Sequence, residues 1–135
     1  MLGGGNPVSG SNPAGVGQTL NYIGNKCYAY SGKVPAGGAS AADQTTLSFT
    51  TGNEFLDVSV NIYYTGVSSE AAFIDCFMNN INVMSTLSDS SGAGLALLDL
   101  PILFVIPPFT KFEIKVGDNA SGKFFTVLLT GDVYA

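Results

Sequence analysis

The chain has 135 residues, of which 46% are hydrophobic and only 11% charged, and its formal net charge is −5. Its basic residues are five scattered lysines, which excludes the concentrated positive footprint that nucleic-acid phosphates or an anionic membrane surface would need. Because the chain has no histidine, it lacks the imidazole of a catalytic triad and the commonest nitrogen ligand of zinc, and we predict neither an enzyme nor a metal or cofactor site.

Residues 1–17 are rich in Gly, Pro, Ser and Asn and have little to bury, which predicts an irregular N-terminal arm ahead of a β-sandwich domain at residues 18–135. A disordered tail and an extended arm that orders on a neighbouring subunit are both compatible with this composition. In the second case the bulkier side chains of the arm are the candidate partner contacts, namely Leu2, Pro7, Val8, Pro13 and Val16. Met1 runs directly into glycine-rich sequence without an apolar stretch, so we expect no export signal and synthesis in the cytoplasm.

Strand follows strand after the arm, with no helical period. An aromatic-rich segment, Leu20–Ser31, predicts the first strand. Tyr22, Tyr28 and Tyr30 have the same parity on it, which predicts a tyrosine stripe on one face. Such a stripe favours packing against another sheet or subunit, and a platform that stacks sugars is the alternative.

Next along the chain, Thr45–Thr51 predicts a second strand. Phe55–Tyr64 alternates apolar and polar side chains, which predicts a half-buried antiparallel strand with Asp57 on its solvated face.

A hairpin is predicted for Phe73–Met78 and Ile81–Leu87 around Asn79-Asn80, because Asn tolerates the positive φ of a tight turn. A two-residue turn places Met78 opposite Ile81 and Cys76 opposite Val83.

Ile102–Ile106 is a continuous apolar run, which predicts a buried strand that ends at Pro107-Pro108. Alternation then resumes from Phe109, and Lys123–Tyr134 predicts the last strand. About eight strands with frequent turn signals predict an all-β fold, an antiparallel β-sandwich, with a jelly roll preferred over an Ig-like topology.

Two further groups of residues bear on chemistry. Asp57 and Asp75 are the carboxylates that could pair as acid and base in a glycosidase, but the alternation places Asp57 on a solvated face, which argues against it. Cys27 and Cys76 lie on different predicted strands, and we expect buried thiols, with a single disulfide as the alternative.

Four segments are similar to small structural proteins of marine and environmental bacteriophages. The segments are Cys27–Gly32 (CYAYSG), Leu47–Gly52 (LSFTTG), Ile106–Val116 (IPPFTKFEIKV) and Leu129–Tyr134 (LTGDVY). In those proteins a β-sandwich serves as a virion component, typically a capsid decoration protein or a related head or fibre module. The motifs mark sheet corners and core positions, so the resemblance assigns no functional residue.

The resemblance implies a virion protein that is made in the host cytoplasm and binds the major capsid protein or another virion protein. It further implies an oligomer seated on the capsid lattice, and we expect a homo-oligomer, with a trimer favoured. Our hypothesis for the arm is that it anchors the protein to the major capsid protein or to a neighbouring copy. The alternative is a receptor- or carbohydrate-binding β-sandwich of a phage fibre or spike.

Overall fold

The computed structural model describes residues 20–35, 42–64, 72–88, 101–118 and 124–134. Within these ranges the chain forms ten β-strands: β1 Asn21–Ile23, β2 Lys26–Tyr30, β3 Val34–Pro35, β4 Gln44–Thr50, β5 Phe55–Tyr64, β6 Ala72–Met78, β7 Ile81–Ser88, β8 Ile102–Ile106, β9 Lys111–Asp118 and β10 Phe124–Tyr134. They make two antiparallel sheets that pack as a sandwich, which confirms the predicted all-β sandwich. No helix in the described ranges is long and apolar enough to cross a membrane.

Sheet A has the strand order β1-β2-β10-β5-β8, with the short β3 also paired to β10, and sheet B has the order β4-β9-β6-β7. The main pairs are nested along the sequence: β6 pairs with β7, β5 with β8, β4 with β9 and β2 with β10. The longest ladder joins β10 to β5 in continuous antiparallel register from Phe125↔Tyr64 to Tyr134↔Phe55. β10 and β5 are therefore the adjacent inner strands of sheet A.

The core lies between the sheets and is filled by alternate residues of the strands, as a sandwich requires. Phe112 on β9 is fully buried and bridges the two layers. Its ring lies 5.5 Å from that of Phe49 in sheet B and 5.2 Å, edge to face, from that of Phe104 in sheet A. Aromatic contacts of this geometry add to the stabilisation that burial provides.

The first predicted strand is in fact two. Gly24 has φ 61, a left-handed conformation that suits glycine at the first central position of a type II′ turn, and the turn folds β1 back on β2. Tyr22 pairs with Cys27 and is buried with it in the core. The prediction of one tyrosine stripe was therefore wrong for Tyr22, because the turn at Gly24-Asn25 breaks the parity that the three tyrosines share in the sequence.

The predicted β6–β7 hairpin is confirmed, with Asn79 at φ 52 and Asn80 at φ 66 as a type I′ turn demands. Met78 lies opposite Ile81 as expected, but Cys76 lies opposite Met84 and not opposite Val83. A β-bulge at Val83 shifts the register by one residue, so that Met84 packs against the core and Val83 is exposed.

The prediction that Ile102–Ile106 is a buried strand was also wrong. β8 is an edge strand of sheet A, paired with β5 alone among the described strands. Ile106 is buried, but Leu103 and Val105 alternate outward and are 74% and 62% exposed.

Candidate functional site

The outer face of sheet A carries most of the exposed apolar surface of the described residues. Seven of the ten exposed large hydrophobic side chains point outward from this sheet: Ile23, Tyr30, Phe55, Tyr63, Leu103, Val105 and Tyr134. Surfaces that only meet water seldom gather so many apolar groups on one face, and such a patch marks a site of interaction. The outer face of sheet A is therefore the candidate functional surface.

Most exposed apolar side chains lie around the margin of this face, and the middle of two cross-strand rows is polar, next to the partly buried Leu128 of β10. One cross-strand row runs from Tyr28 through Thr130 and Ser59 to Leu103. The neighbouring row runs from Lys26 through Asp132 and Asp57 to Val105. Both rows end at the exposed apolar residues of β8, so the centre can hydrogen-bond while the margin offers surface for burial.

Charge at the centre is partly neutralised. Lys26 Nζ donates a hydrogen bond to Asp132 Oδ1 and forms an ion pair with it, which raises the pKa of Lys26 above its ordinary value. Both side chains are solvent-exposed, so the pair contributes little to stability. With Asp57, and with Lys33, whose ammonium lies 4.1 Å from the ring centroid of Phe124, four charged residues lie on the described part of this face.

Sheet B has a different outer face. Lys111 pairs with Glu113 at 3.7 Å, and the ammonium of Lys115 lies 5.6 Å from the ring centroid of Phe77. Asp75 lies on β6 opposite Lys115. This arrangement of interspersed charges with a lysine stem over an aromatic ring is typical of a solvated surface. Sheet A has one such pair too, Lys33 over Phe124, and sheet B exposes Ile81 and Val83 on β7. The two sheets differ in the amount of exposed apolar surface, which is larger on sheet A.

Two of the predicted tyrosine contacts do lie on the outer face of sheet A. Tyr28 and Tyr30 project from β2 with ring centroids 5.2 Å apart and planes tilted by 39°. Together with Lys26, Thr130 and Asp132 they line a shallow depression over β2 and β10. Tyr22, the third predicted contact, is buried in the core and takes no part. The five arm residues, Leu2, Pro7, Val8, Pro13 and Val16, lie outside the described residues, as does the predicted arm itself.

Asp57 and Asp75 cannot act on one substrate, because they project from the outer faces of different sheets on opposite sides of the sandwich. Among the described residues, no three Cys, Asp or Glu side chains are grouped to hold a metal ion.

Glu54, in the turn between β4 and β5, is 1% exposed, and its carboxylate oxygens have no hydrogen-bond partner in the described part of the chain. Burying an unpaired carboxylate costs free energy. The hydrogen bonds of the adjacent corner do not include this carboxylate. Thr51 Oγ1 donates to the carbonyl oxygen of Pro107 at 2.7 Å and accepts from the amide of Thr110 at 2.9 Å.

Cys27 in sheet A and Cys76 in sheet B are free, buried thiols, as expected. Burial, with a smaller contribution from Asp132, raises the pKa of Cys27 from 9.0 to about 11. Burial, with a smaller contribution from Asp75, raises the pKa of Cys76 to about 12. Both groups are therefore weak nucleophiles at neutral pH, in the role of small core hydrophobes.

These thiols should make the fold alkali-sensitive. Between pH 9 and 11 an unfolded chain loses thiol protons that the folded chain keeps, so the free energy of unfolding falls as pH rises through this window. At pH 10.5 we expect roughly 2 kcal/mol of loss per thiol relative to pH 8. Urea unfolding at both pH values should give a larger decrease for the wild type than for a Cys27→Ala/Cys76→Ala variant. Equal decreases in the two proteins would refute the assignment to the thiols.

Comparisons of the chain with protein-family models, with curated proteins and with solved structures found no match.

Sequence reasoning missed Leu103 and Val105, the most exposed apolar pair on the outer face of sheet A. A signal for them was present, because β8 is flanked by Pro101 and Pro107, and prolines at the ends of a strand are typical of a sheet edge. Phe55, Tyr63 and Tyr134 were within predicted strands, but nothing in the local pattern distinguished the face of the sheet that remains uncovered.

Proposed function

We propose that this chain is a structural subunit of a virion, a self-associating jelly-roll protein of the capsid decoration type. The observation that carries the proposal is the outer face of sheet A, which leaves seven large apolar side chains exposed with few charges among them. Subunits that spend their working life packed against neighbours have surfaces of this kind, since association buries the apolar area.

The jelly-roll part of the proposal is supported by the nested strand pairs. Eight strands fold as one long antiparallel ribbon whose tip is the β6–β7 hairpin and whose open end is the β2–β10 pair. When such a ribbon wraps across two sheets, it gives the four-on-four arrangement of a jelly roll, which is common in viral capsid domains. An Ig-like order would instead place its strands as ABED and CFG.

Partners of a decoration protein are the capsid lattice and other copies of itself. The outer face of sheet A supplies the apolar margin for lateral contacts, and residues 1–17 would supply the anchor on the major capsid protein. Low charge suits lateral packing, because fewer ions need to be desolvated when neighbouring copies meet.

A decisive test asks whether the protein is present in purified virus particles. An antibody raised against the purified chain should detect it in density-gradient fractions that contain virus particles from the source culture. A variant that lacks residues 1–17 should keep the oligomeric state of the full chain in light scattering but lose its association with the particles. Signal confined to particle-free fractions would overturn the proposal, and unchanged occupancy without the arm would overturn the anchoring role.

The second candidate is a receptor- or carbohydrate-binding module of a fibre or spike. Its supporting observation is the depression in which Tyr28 and Tyr30 lie beside the Lys26–Asp132 pair, since aromatic rings stack on sugars and polar groups fix their hydroxyls. Saturable binding to defined glycans on an array, abolished by Tyr30→Ala, would favour this candidate over the decoration protein.

A further inference from the structure

Besides the two-residue β3, the described sheets end in four edge strands, and β8 differs from the other three. β1 has only three residues. β4 carries a register shift at Thr46, and β7 carries one at Val83. β8 pairs with β5 over all five of its residues without a register shift. Among the described edge strands, it is therefore the one that is both longer than three residues and free of a bulge. Bulges and short length are two of the ways by which proteins prevent edge strands from pairing with other chains.

The composition of β8 offers no other protection. Its residues are Ile-Leu-Phe-Val-Ile, without a charge, and its second edge pairs with no described strand. Leu103 and Val105 stand exposed beside that edge on the outer face of sheet A. A regular, apolar edge whose backbone groups pair with no described strand is a template for a further strand.

Pro101 and Pro107 define how long that further strand can be. Proline has no amide hydrogen, so neither Pro101 nor Pro107 can donate a backbone hydrogen bond to a partner strand. The hydrogen-bond ladder that β8 can offer is therefore limited to Ile102–Ile106. A partner strand of five residues, bounded in the same way, matches this ladder without leaving amides of its own unpaired.

We propose that the free edge of β8 binds β8 of a second copy of this chain, antiparallel and centred on Phe104. The inference rests on the self-association in the proposed function and identifies its contact. In this register Leu103 lies opposite Val105 of the other copy, Ile102 lies opposite Ile106, and the prolines fall just beyond the ladder. The two six-stranded sheets then form one continuous sheet.

Charge also favours a second copy as the occupant. Asp57 is the charged residue directly across from β8, where it pairs with Val105. In the paired dimer the two β5 strands are three strand spacings apart, roughly 14 Å, which exceeds the Debye length of about 8 Å at physiological salt. The two Asp57 carboxylates therefore repel each other little, whereas a charged partner strand would bury its charges against Leu103 and Val105.

Crosslinking tests the register directly. Leu103→Cys and Val105→Cys variants, mixed under mild oxidation, should give a disulfide-linked heterodimer as the main product, because these positions are directly opposed. Either variant alone should give far less, since like positions are diagonal neighbours roughly 7–8 Å apart, beyond the reach of a disulfide. Cys27 and Cys76 are buried and should not interfere. Equal crosslinking of all three samples, or none, would overturn the proposed register.

Light scattering at a series of protein concentrations measures the dissociation constant of the oligomer for an interface variant and for a matched control variant. Leu103→Lys/Val105→Lys sets lysines opposite each other and should raise the dissociation constant at least about tenfold. Ile81→Lys, at an exposed apolar position on β7 of sheet B, should leave it unchanged. An oligomer that survives the double substitution refutes the β8 contact while leaving the proposed function intact. A wild-type protein that stays monomeric at all concentrations and in virus particles would refute both.

Discussion

Gly131→Ala should remove at least about 3 kcal/mol from the free energy of unfolding, or prevent folding altogether. Gly131 lies in β10 between Cys27 on β2 and Val58 on β5. A methyl group at this position would collide with the carbonyl oxygen of Asp57 and would lie 2.7 Å from Cα of Val58. Both atoms belong to backbone that a ladder of ten paired residues holds in place, so relief requires the two strands to part.

Gly24→Ala is the matched control for this substitution. Its methyl group meets nothing within 4 Å, but the residue has φ 61, which costs about 1 kcal/mol for a residue with a Cβ. In urea unfolding, the free energy of unfolding should therefore be highest for the wild type, lower for Gly24→Ala and lowest for Gly131→Ala. A Gly131→Ala protein within about 1 kcal/mol of the wild type would contradict the close approach of β10 to β5.

Phe112→Ala should destabilise the protein by about 3–5 kcal/mol. The side chain is fully buried and contacts aromatic rings of both sheets, Phe49 on β4 and Phe104 on β8. Its removal leaves a cavity at the point where the layers meet, and the ladders on either side limit collapse around it.

Phe55→Ala removes the same side chain from a half-exposed position at the start of β5, and we expect a loss of less than about 1 kcal/mol. Chemical denaturation with intrinsic tyrosine fluorescence or circular dichroism measures both variants. Similar losses for the two would show that Phe112 does not connect the layers as described.

Local patterns in the sequence predicted the elements whose cause is local. The alternation from Phe55 to Tyr64 gave the correct buried face of β5, and Asn79-Asn80 gave the correct hairpin turn. Gly24-Asn25 was a turn signal of the same kind, but the aromatic residues around it suggested an unbroken strand, and Tyr22 was assigned to the wrong face as a result.

Features that depend on the strand order could not be predicted from local patterns. A continuous apolar run such as Ile102–Ile106 fits a buried inner strand as well as an edge strand, because the pattern of apolar residues does not show whether the strand has a neighbour on one side or on both. The bulge at Val83 likewise depends on how β6 and β7 meet the second sheet. For the candidate site, the sequence identified Tyr28 and Tyr30 but not β8, since exposure of an apolar strand is decided by the strands around it.

The nested strand pairs also determine when the chain can fold during its synthesis. The partners in β2 and β10 are about a hundred residues apart, so at ribosomal rates of about 5–20 residues per second β2 waits on the order of ten seconds for its neighbour. The β6–β7 hairpin can form early, but β10 is an inner strand of sheet A and is translated last among the described strands. Until it emerges, the facing edges of β2 and β5 have no partner, and closure of the sandwich must wait for β10.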